Sequence, residues 1–303
     1  QLDCGATQLT ALDVTKNNAL TILWCYSNWL TTLDLSKNTA LTRLECASNQ
    51  LTALDVSKNT ALIRLHCYSN QLTNLNITKN TALTYFVCGL NKLTTLDVSK
   101  NIALTHLYCN SNQLTALDIS KNTALTILEC GSNKLTSIDF TKNTSLNTFK
   151  CESNIFNFAT LPIKQNAWTT YTYSPQAKIV LQKKNYTLSE TIDLSSQLTA
   201  NGNTTSYIWK TKGGTTLSTG TDYSIANGVT TFLKVQTDSV YCQMTNATFP
   251  SLTLSTTNAK VTQFPSSVDE TSLSINIYPN PVKESINIEM NENITKIEVY
   301  TVL

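Results

Sequence analysis

Nine cysteines, two histidines and a column of aspartates are the residues of this 303-residue chain whose chemistry must be decided first. Eight cysteines (Cys4, Cys25, Cys46, Cys67, Cys88, Cys109, Cys130 and Cys151) follow one another at intervals of 21 residues. Thiols can pair as disulfides, hold zinc or fill a core. A constant interval marks one position of a repeat, so the eight side chains are equivalent. Rungs about 4.8 Å apart fall within the Cα range of a disulfide, but in-register side chains point in parallel. The expectation is a column of reduced thiols packed as small hydrophobes, with disulfides as the alternative. Zinc is disfavoured, because no His or second Cys joins a rung at ligand spacing. His66 and His106 lie two rungs apart, on the order of 10 Å. They cannot share a metal ion, neither has a triad partner, and they read as surface residues. Asp13, Asp34, Asp55, Asp97, Asp118 and Asp139 could suggest calcium. A Lys follows each three residues later and Asn76 breaks the column, so turn capping is expected. No catalytic residue, metal site or cofactor is expected, and the chain does not read as an enzyme.

These residues sit in a chain of low charge. Charged residues make up 14% of it, against roughly 25% in an average soluble domain. With 22 basic and 20 acidic residues the net charge is +2. That balance gives no electrostatic footprint for nucleic acid. No run is long and apolar enough for a transmembrane segment. Hydrophobic residues at 41% suffice for a core.

The elements that position the cysteines come from the repeat. One unit runs from Leu41 to Ala61, with the pattern L-x-x-L-x-C-x-x-N-x-L-T-x-L-D-x-S-K-N-T-A. Leu44 and Cys46 alternate with Arg43, Glu45 and Ala47, which predicts a short strand with the first pair inward. Stacked units then share a continuous core. Asn28, Asn49, Asn70, Asn91, Asn112, Asn133 and Asn154 recur at an inward turn position, able to bond backbone of their own and the next rung. The return path is too short for a regular helix, so extended backbone and single helical turns are expected. The pattern resembles the leucine-rich repeat, and that resemblance covers residues 1–156. It implies a solenoid with a concave strand face. The array begins at Gln1 without a capping segment, so the chain reads as a piece of a longer protein. Phe149, Phe156 and Phe158 replace leucines at the other end, as a cap would.

The outward strand positions are the variable ones. Trp24, Tyr26, Arg43, Arg64, His66, Tyr68, Tyr85, His106 and Tyr108 cluster there. Aromatic residues and Arg are enriched in binding hot spots, and these nine are the candidate ligand-binding residues. Bulky residues with high strand propensity are the plainer explanation.

The domain reading is a solenoid over 1–160, a junction over 161–176, a β-sandwich over 177–263, a linker over 264–274 and a partial β module over 275–303. Asn201-Gly202, Gly213-Gly214 and Asn227-Gly228 are hairpin-type turns in the third of these. Roughly seven short strands are expected there. Tyr207-Ile208-Trp209 and Asp238–Cys242 resemble two core strands of an immunoglobulin-like domain. The first cysteine of that family is missing, and Tyr241 stands directly before Cys242 rather than two before it. Tyr278-Pro279-Asn280-Pro281, ahead of alternating runs at 286–288 and 294–300, resembles the C-terminal sorting domain of type IX secretion. That resemblance implies handling by the type IX secretion machinery and a secreted or outer-membrane-attached protein. The fold class is therefore mainly β. The expected function is recognition or adhesion, with a protein or glycan partner on the concave face. The alternative is a cell-envelope spacer without a specific ligand.

Overall fold

The computed structural model describes residues 1–188, 190–263, 276–279 and 286–289. The chain divides into two compact units, Gln1–Gln263 and Phe264–Leu303.

The first unit begins with nine short strands: β1 (Leu2–Asp3), β2 (Ile22–Trp24), β3 (Arg43–Glu45), β4 (Arg64–His66), β5 (Tyr85–Val87), β6 (His106–Tyr108), β7 (Ile127–Glu129), β8 (Thr148–Lys150) and β9 (Thr170–Thr172). They form one parallel sheet in sequence order. Leu23 pairs with Leu44, Leu44 with Leu65, and Leu65 with Phe86. From β2 to β8 each middle residue is buried while its flanks stay at least partly exposed. A three-residue strand has one inward side chain, so the leucine column and the cysteine column two residues later wall one interior. Leu41, Leu51, Leu54 and Val56 close that interior from the other sides. The chain winds into a solenoid of about eight turns.

Two asparagine ladders hold the turns together. Asn49 Nδ2 donates to the carbonyls of Cys25, Cys46 and Ala47 at 2.9, 3.1 and 3.2 Å. Its Oδ1 accepts from the Leu30 N–H at 3.0 Å. The ladder thus bonds its own rung and the preceding rung, not the next one. The second ladder is Asn38, Asn59, Asn80, Asn101, Asn122 and Asn143, all buried. Asn59 Nδ2 donates to Leu35 O at 3.1 Å and Asn38 O at 2.8 Å. Its Oδ1, like those of its five equivalents, meets no donor. Asparagine is held there by the two carbonyls it closes, at the cost of one buried acceptor. The return path is a run of turns rather than helical turns: Asn59 N–H donates to Val56 O, and Leu62 N–H to Asn59 O.

The aspartates cap those turns. Asp55 Oδ1 accepts the Ser57 N–H at 2.8 Å, and Asp34, Asp97 and Asp118 do the same with Ser36, Ser99 and Ser120. Asn76 accepts from Thr78 N–H in the same geometry, which is why the column tolerates it.

Past the solenoid, Phe140, Phe149, Trp168 and Tyr171 pack ring on ring, with centroids 4.9 to 6.1 Å apart. Tyr171 contacts Tyr173, Tyr173 contacts Phe249, and Phe249 stacks on Phe158. This aromatic chain joins the last rungs to the strands that follow. Those are β10 (Asn185–Thr187), β11 (Thr191–Asp193), β12 (Thr199–Ala200), β13 (Asn203–Thr204), β14 (Ser206–Thr211), β15 (Tyr223–Ala226), β16 (Val229–Phe232), β17 (Val240–Thr245), β18 (Thr253–Ser255) and β19 (Lys260–Thr262). They are more numerous than the expected seven, because a short parallel pair, β10-β19, and a two-residue hairpin, β12-β13, stand beside the two main sheets. Two three-stranded sheets, β11-β16-β15 and β14-β17-β18, meet around Trp209. Trp209 donates its Nε1–H to Thr230 Oγ1 at 3.0 Å and stands edge-on to Phe232. Asn227 and Gly228, at φ 50° and 80°, make the β15–β16 hairpin turn, as two left-handed residues must.

In the second unit, β20 (Asn276–Pro279) and β21 (Ile286–Glu289) pair antiparallel, with Tyr278 opposite Asn287. Asn280, Pro281 and the run at 294–300 lie outside the described residues.

Candidate functional site

Each solenoid strand presents two outward residues, and a third follows the cysteine. The strand face is therefore three columns of side chains on a rigid frame. Among the nine candidates, His66, Tyr85, His106 and Tyr108 come together. Tyr85 is the hub, 5.2 Å from His66, 4.9 Å from His106 and 5.5 Å from Tyr108 between ring centroids. The Arg64 guanidinium lies 5.4 Å from the Tyr85 ring centre, within cation–π range.

Trp24, Arg43, Arg64 and His66 line a pocket of about 130 Å³ with Leu44 and Glu45 at its floor. Glu45 was not among the candidates from sequence. Its outward strand position next to two arginines was the available signal. Glu45 Oε1 lies 3.8 Å from His66 Nδ1. Tyr26 and Tyr68 stand at the edge of the face, outside this pocket. Tyr26 lies over Gly5: a Cβ placed there would come within 2.5 Å of its ring. Tyr68 is 38% exposed.

His66 is less exposed than a surface residue, because its Nε2 is buried without a partner. Burial lowers its pKa, with Glu45 opposing and Arg64 reinforcing the shift. His106 is lowered by burial and by Arg64, and shares a 2.8 Å hydrogen bond between Nδ1 and Thr105 Oγ1. Neither histidine is a cation at neutral pH on this account. Tyr108 is raised by burial and by its hydrogen bond to Tyr85, so it stays a neutral phenol.

The thiol column lies behind this face. All nine cysteines are free. Burial pushes the thiols of Cys67 and Cys109 up to about 12, and those of Cys46, Cys88 and Cys130 well above the ordinary range. Such thiols are inert. Among the described residues no three His, Cys, Asp or Glu gather as a metal ligand set, and no helix is long and apolar enough to cross a membrane. Two larger clefts, of about 500 and 520 Å³, lie off the strand face, beside Lys183 and Lys260 and beside Phe140 and Trp168.

Comparison with known proteins agrees with this architecture. Residues 276–303 match the secretion system C-terminal sorting domain. With that segment, the protein is secreted or attached to the cell surface. The functional domain of InlJ from Listeria monocytogenes, described as including a cysteine ladder, is similar at 26% identity and a TM-score of 0.53. That match covers 86% of this chain and 71% of the other. The leucine-rich repeat domain of APL1B is similar at 18% identity and a TM-score of 0.50, over 61% of this chain and 67% of that one. A search for curated relatives found none that match the chain. The fold is thus mainly β, with a solenoid of the leucine-rich-repeat kind.

Proposed function

We propose that this is a surface recognition or adhesion protein that binds a protein or glycan through the concave strand face of its solenoid. The observation that carries the reading is the pocket between Trp24 and His66, flanked by Arg43 and Arg64, on a frame whose own polar groups are closed by asparagine ladders. The ladders bond backbone groups and none of Trp24, Arg43, Arg64 or His66, so these four are available to a partner. The binding set is Trp24, Tyr26, Arg43, Arg64, His66, Tyr68, Tyr85, His106 and Tyr108. The likeness to InlJ, a bacterial protein, supports the same reading. No catalytic activity is assigned.

We infer further that residues 177–263 are an immunoglobulin-like sandwich that holds the solenoid away from the cell. Its support is the pairing of Trp209 opposite Cys242 on adjacent antiparallel strands, with Trp209 between the two sheets. The type IX machinery then handles residues 275–303, with Tyr278-Pro279-Asn280-Pro281 as the sorting motif.

The test is a screen of the purified chain against glycans and matrix proteins, beside a variant with Trp24, Tyr26, Tyr68 and Tyr108 replaced by Ala. Saturable binding that the variant loses is the expected result. Folded protein that binds nothing turns the account to an envelope spacer without a ligand.

A further inference from the structure

Arg43 and Arg64 are in-register neighbours on the parallel strands β3 and β4. Like charges placed side by side across a sheet repel and cost stability. Lys150, further along the same face, is neutralised by Glu129 on the adjoining rung at 2.7 Å. The two arginines have no such relief. Among the described residues the other ion pairs are Glu45 with His66, Glu190 with Lys183 and Asp222 with Lys234. Glu45, two residues from Arg43, is engaged with His66 instead.

Both guanidiniums border the pocket that Trp24, Glu45 and His66 also line. The register fixes the arrangement. Trp24, Glu45 and His66 stand on three successive rungs of one column, with Glu45 between the two rings. Arg43 and Arg64 stand one column over, on the rungs of Glu45 and His66. Tyr85 packs on His66 from the next rung, so the pocket is a single hollow and not part of a groove. Its volume of about 130 Å³ is well below the roughly 300–1,000 Å³ of a cleft for a drug-sized ligand. It suits one ring or one side chain.

The lining combines three chemistries. The guanidiniums present planar forks of N–H donors that match a carboxylate. Trp24 presents an aromatic face whose negative side attracts the C–H edge of a saturated ring. Glu45 presents an acceptor-only carboxylate, and this group decides between ligands. An acidic peptide side chain brings acceptors alone, so its charge is set against Glu45 with no hydrogen to offer it. A neutral sugar can donate hydroxyls to Glu45 but leaves the arginine pair uncompensated. A sugar that carries a carboxylate satisfies all three. Two arginines against one glutamate leave a single net positive charge in the lining, which one carboxylate cancels.

We propose that this pocket binds one unit of an acidic sugar, a pyranose bearing a ring carboxylate. Its carboxylate lies on Arg43 and Arg64, its ring face on Trp24, and a hydroxyl donates to Glu45. The proposal rests on the strand face being the binding surface and names the unit it recognises.

The test titrates the whole protein, by ligand-detected NMR, with the methyl glycosides of glucuronic acid and N-acetylneuraminic acid. Methyl glucoside supplies the ring without the carboxylate, and N-acetylglutamate amide the carboxylate without the ring. The expected result is saturable binding of at least one acidic glycoside, with both comparators weaker. Arg43→Gln, Arg64→Gln and Trp24→Ala each weaken it about tenfold or more. Glu45→Gln weakens the acidic glycoside but tightens N-acetylglutamate amide, opposite shifts that a loss of structure cannot produce. Circular dichroism and the melting midpoint confirm that each variant is folded. Equal or tighter binding of N-acetylglutamate amide overturns the proposal in favour of an acidic peptide. Equal or tighter binding of methyl glucoside overturns it in favour of a neutral glycan. No saturable binding of either acidic glycoside also overturns it. The strand face itself then stands or falls separately, on whether a ligand from the glycan and matrix-protein screen is lost in the aromatic variant.

Discussion

At the scale of single residues, the chemistry of this chain is one of suppressed reactivity. Seven of the eight ladder thiols, from Cys25 to Cys151, are buried in a wall with leucines, and desolvation keeps them protonated, while Cys4 on the first rung is partly exposed. Alkylation at pH 8 should therefore leave Cys25 to Cys151 untouched in the native protein and reach Cys4 alone of the ladder. In denatured, unreduced protein it should modify all nine cysteines; mass spectrometry showing fewer would mean disulfides. The two histidines give a pH signature. Their folded pKa values are lowered, so folding opposes their protonation. Their penalty is absent above the unfolded value near 6.5 and grows as pH falls through it. The melting midpoint should drop between pH 7.5 and 5.5, and less so in His66→Gln/His106→Gln. The aspartate caps act in a separate window. Hydrogen bonds from Ser57 and its equivalents lower those pKa values, so their support is present above about pH 4 and lost below it. A midpoint that stays flat from pH 7.5 to 5.5 contradicts the histidine argument. The cysteine column was legible in the sequence because its interval is invariant. The burial of His66 Nε2 was not, because it depends on how Glu45 and Tyr85 on the neighbouring strands and Arg64 on its own strand crowd one ring.

At the scale of elements, each rung is too short to stand alone and is held by its asparagines. Removing the Asn70 side chain leaves the Leu51 N–H unpaired in the core and takes one of two asparagine donors from each of the carbonyls of Cys46 and Cys67. A buried unpaired group costs roughly 1–3 kcal/mol, so Asn70→Ala should cost about 1–3 kcal/mol in chemical denaturation. The first asparagine ladder could be read from the repeat, but not its direction. The residue before each asparagine, Ser48 and its equivalents, takes a left-handed φ near 53°, a turn that serine does not announce in the sequence. The second ladder hid inside Ser-Lys-Asn, where a polar run reads as a solvated turn. At the solenoid's far end, Trp168 is buried among Phe140, Phe149 and Tyr171. Trp168→Ala should cost about 3–5 kcal/mol and lower the melting midpoint. An unchanged midpoint would remove the junction's role as a cap.

At the scale of the whole molecule, the parts divide the labour between display and contact. Deleting residues 276–303 should abolish surface exposure, read by protease accessibility on intact cells, while leaving the solenoid folded. The column after the cysteines alternates large and small residues rung by rung, Tyr26 and Tyr68 against Gly5 and Ala47, a 42-residue repeat present in the sequence. It escapes a reading by single rungs because the stronger 21-residue frame masks it. The central claim is that the strand face makes the contact. Its most direct measurement compares dissociation constants for one captured ligand across three proteins: the chain itself, Trp24→Ala/Tyr108→Ala, and Gln50→Ala/Gln113→Ala on exposed positions off the face. Two hot spots at about 2 kcal/mol each predict weakening of roughly several hundredfold for the first variant and no change for the second. Equal affinity in all three would contradict the account.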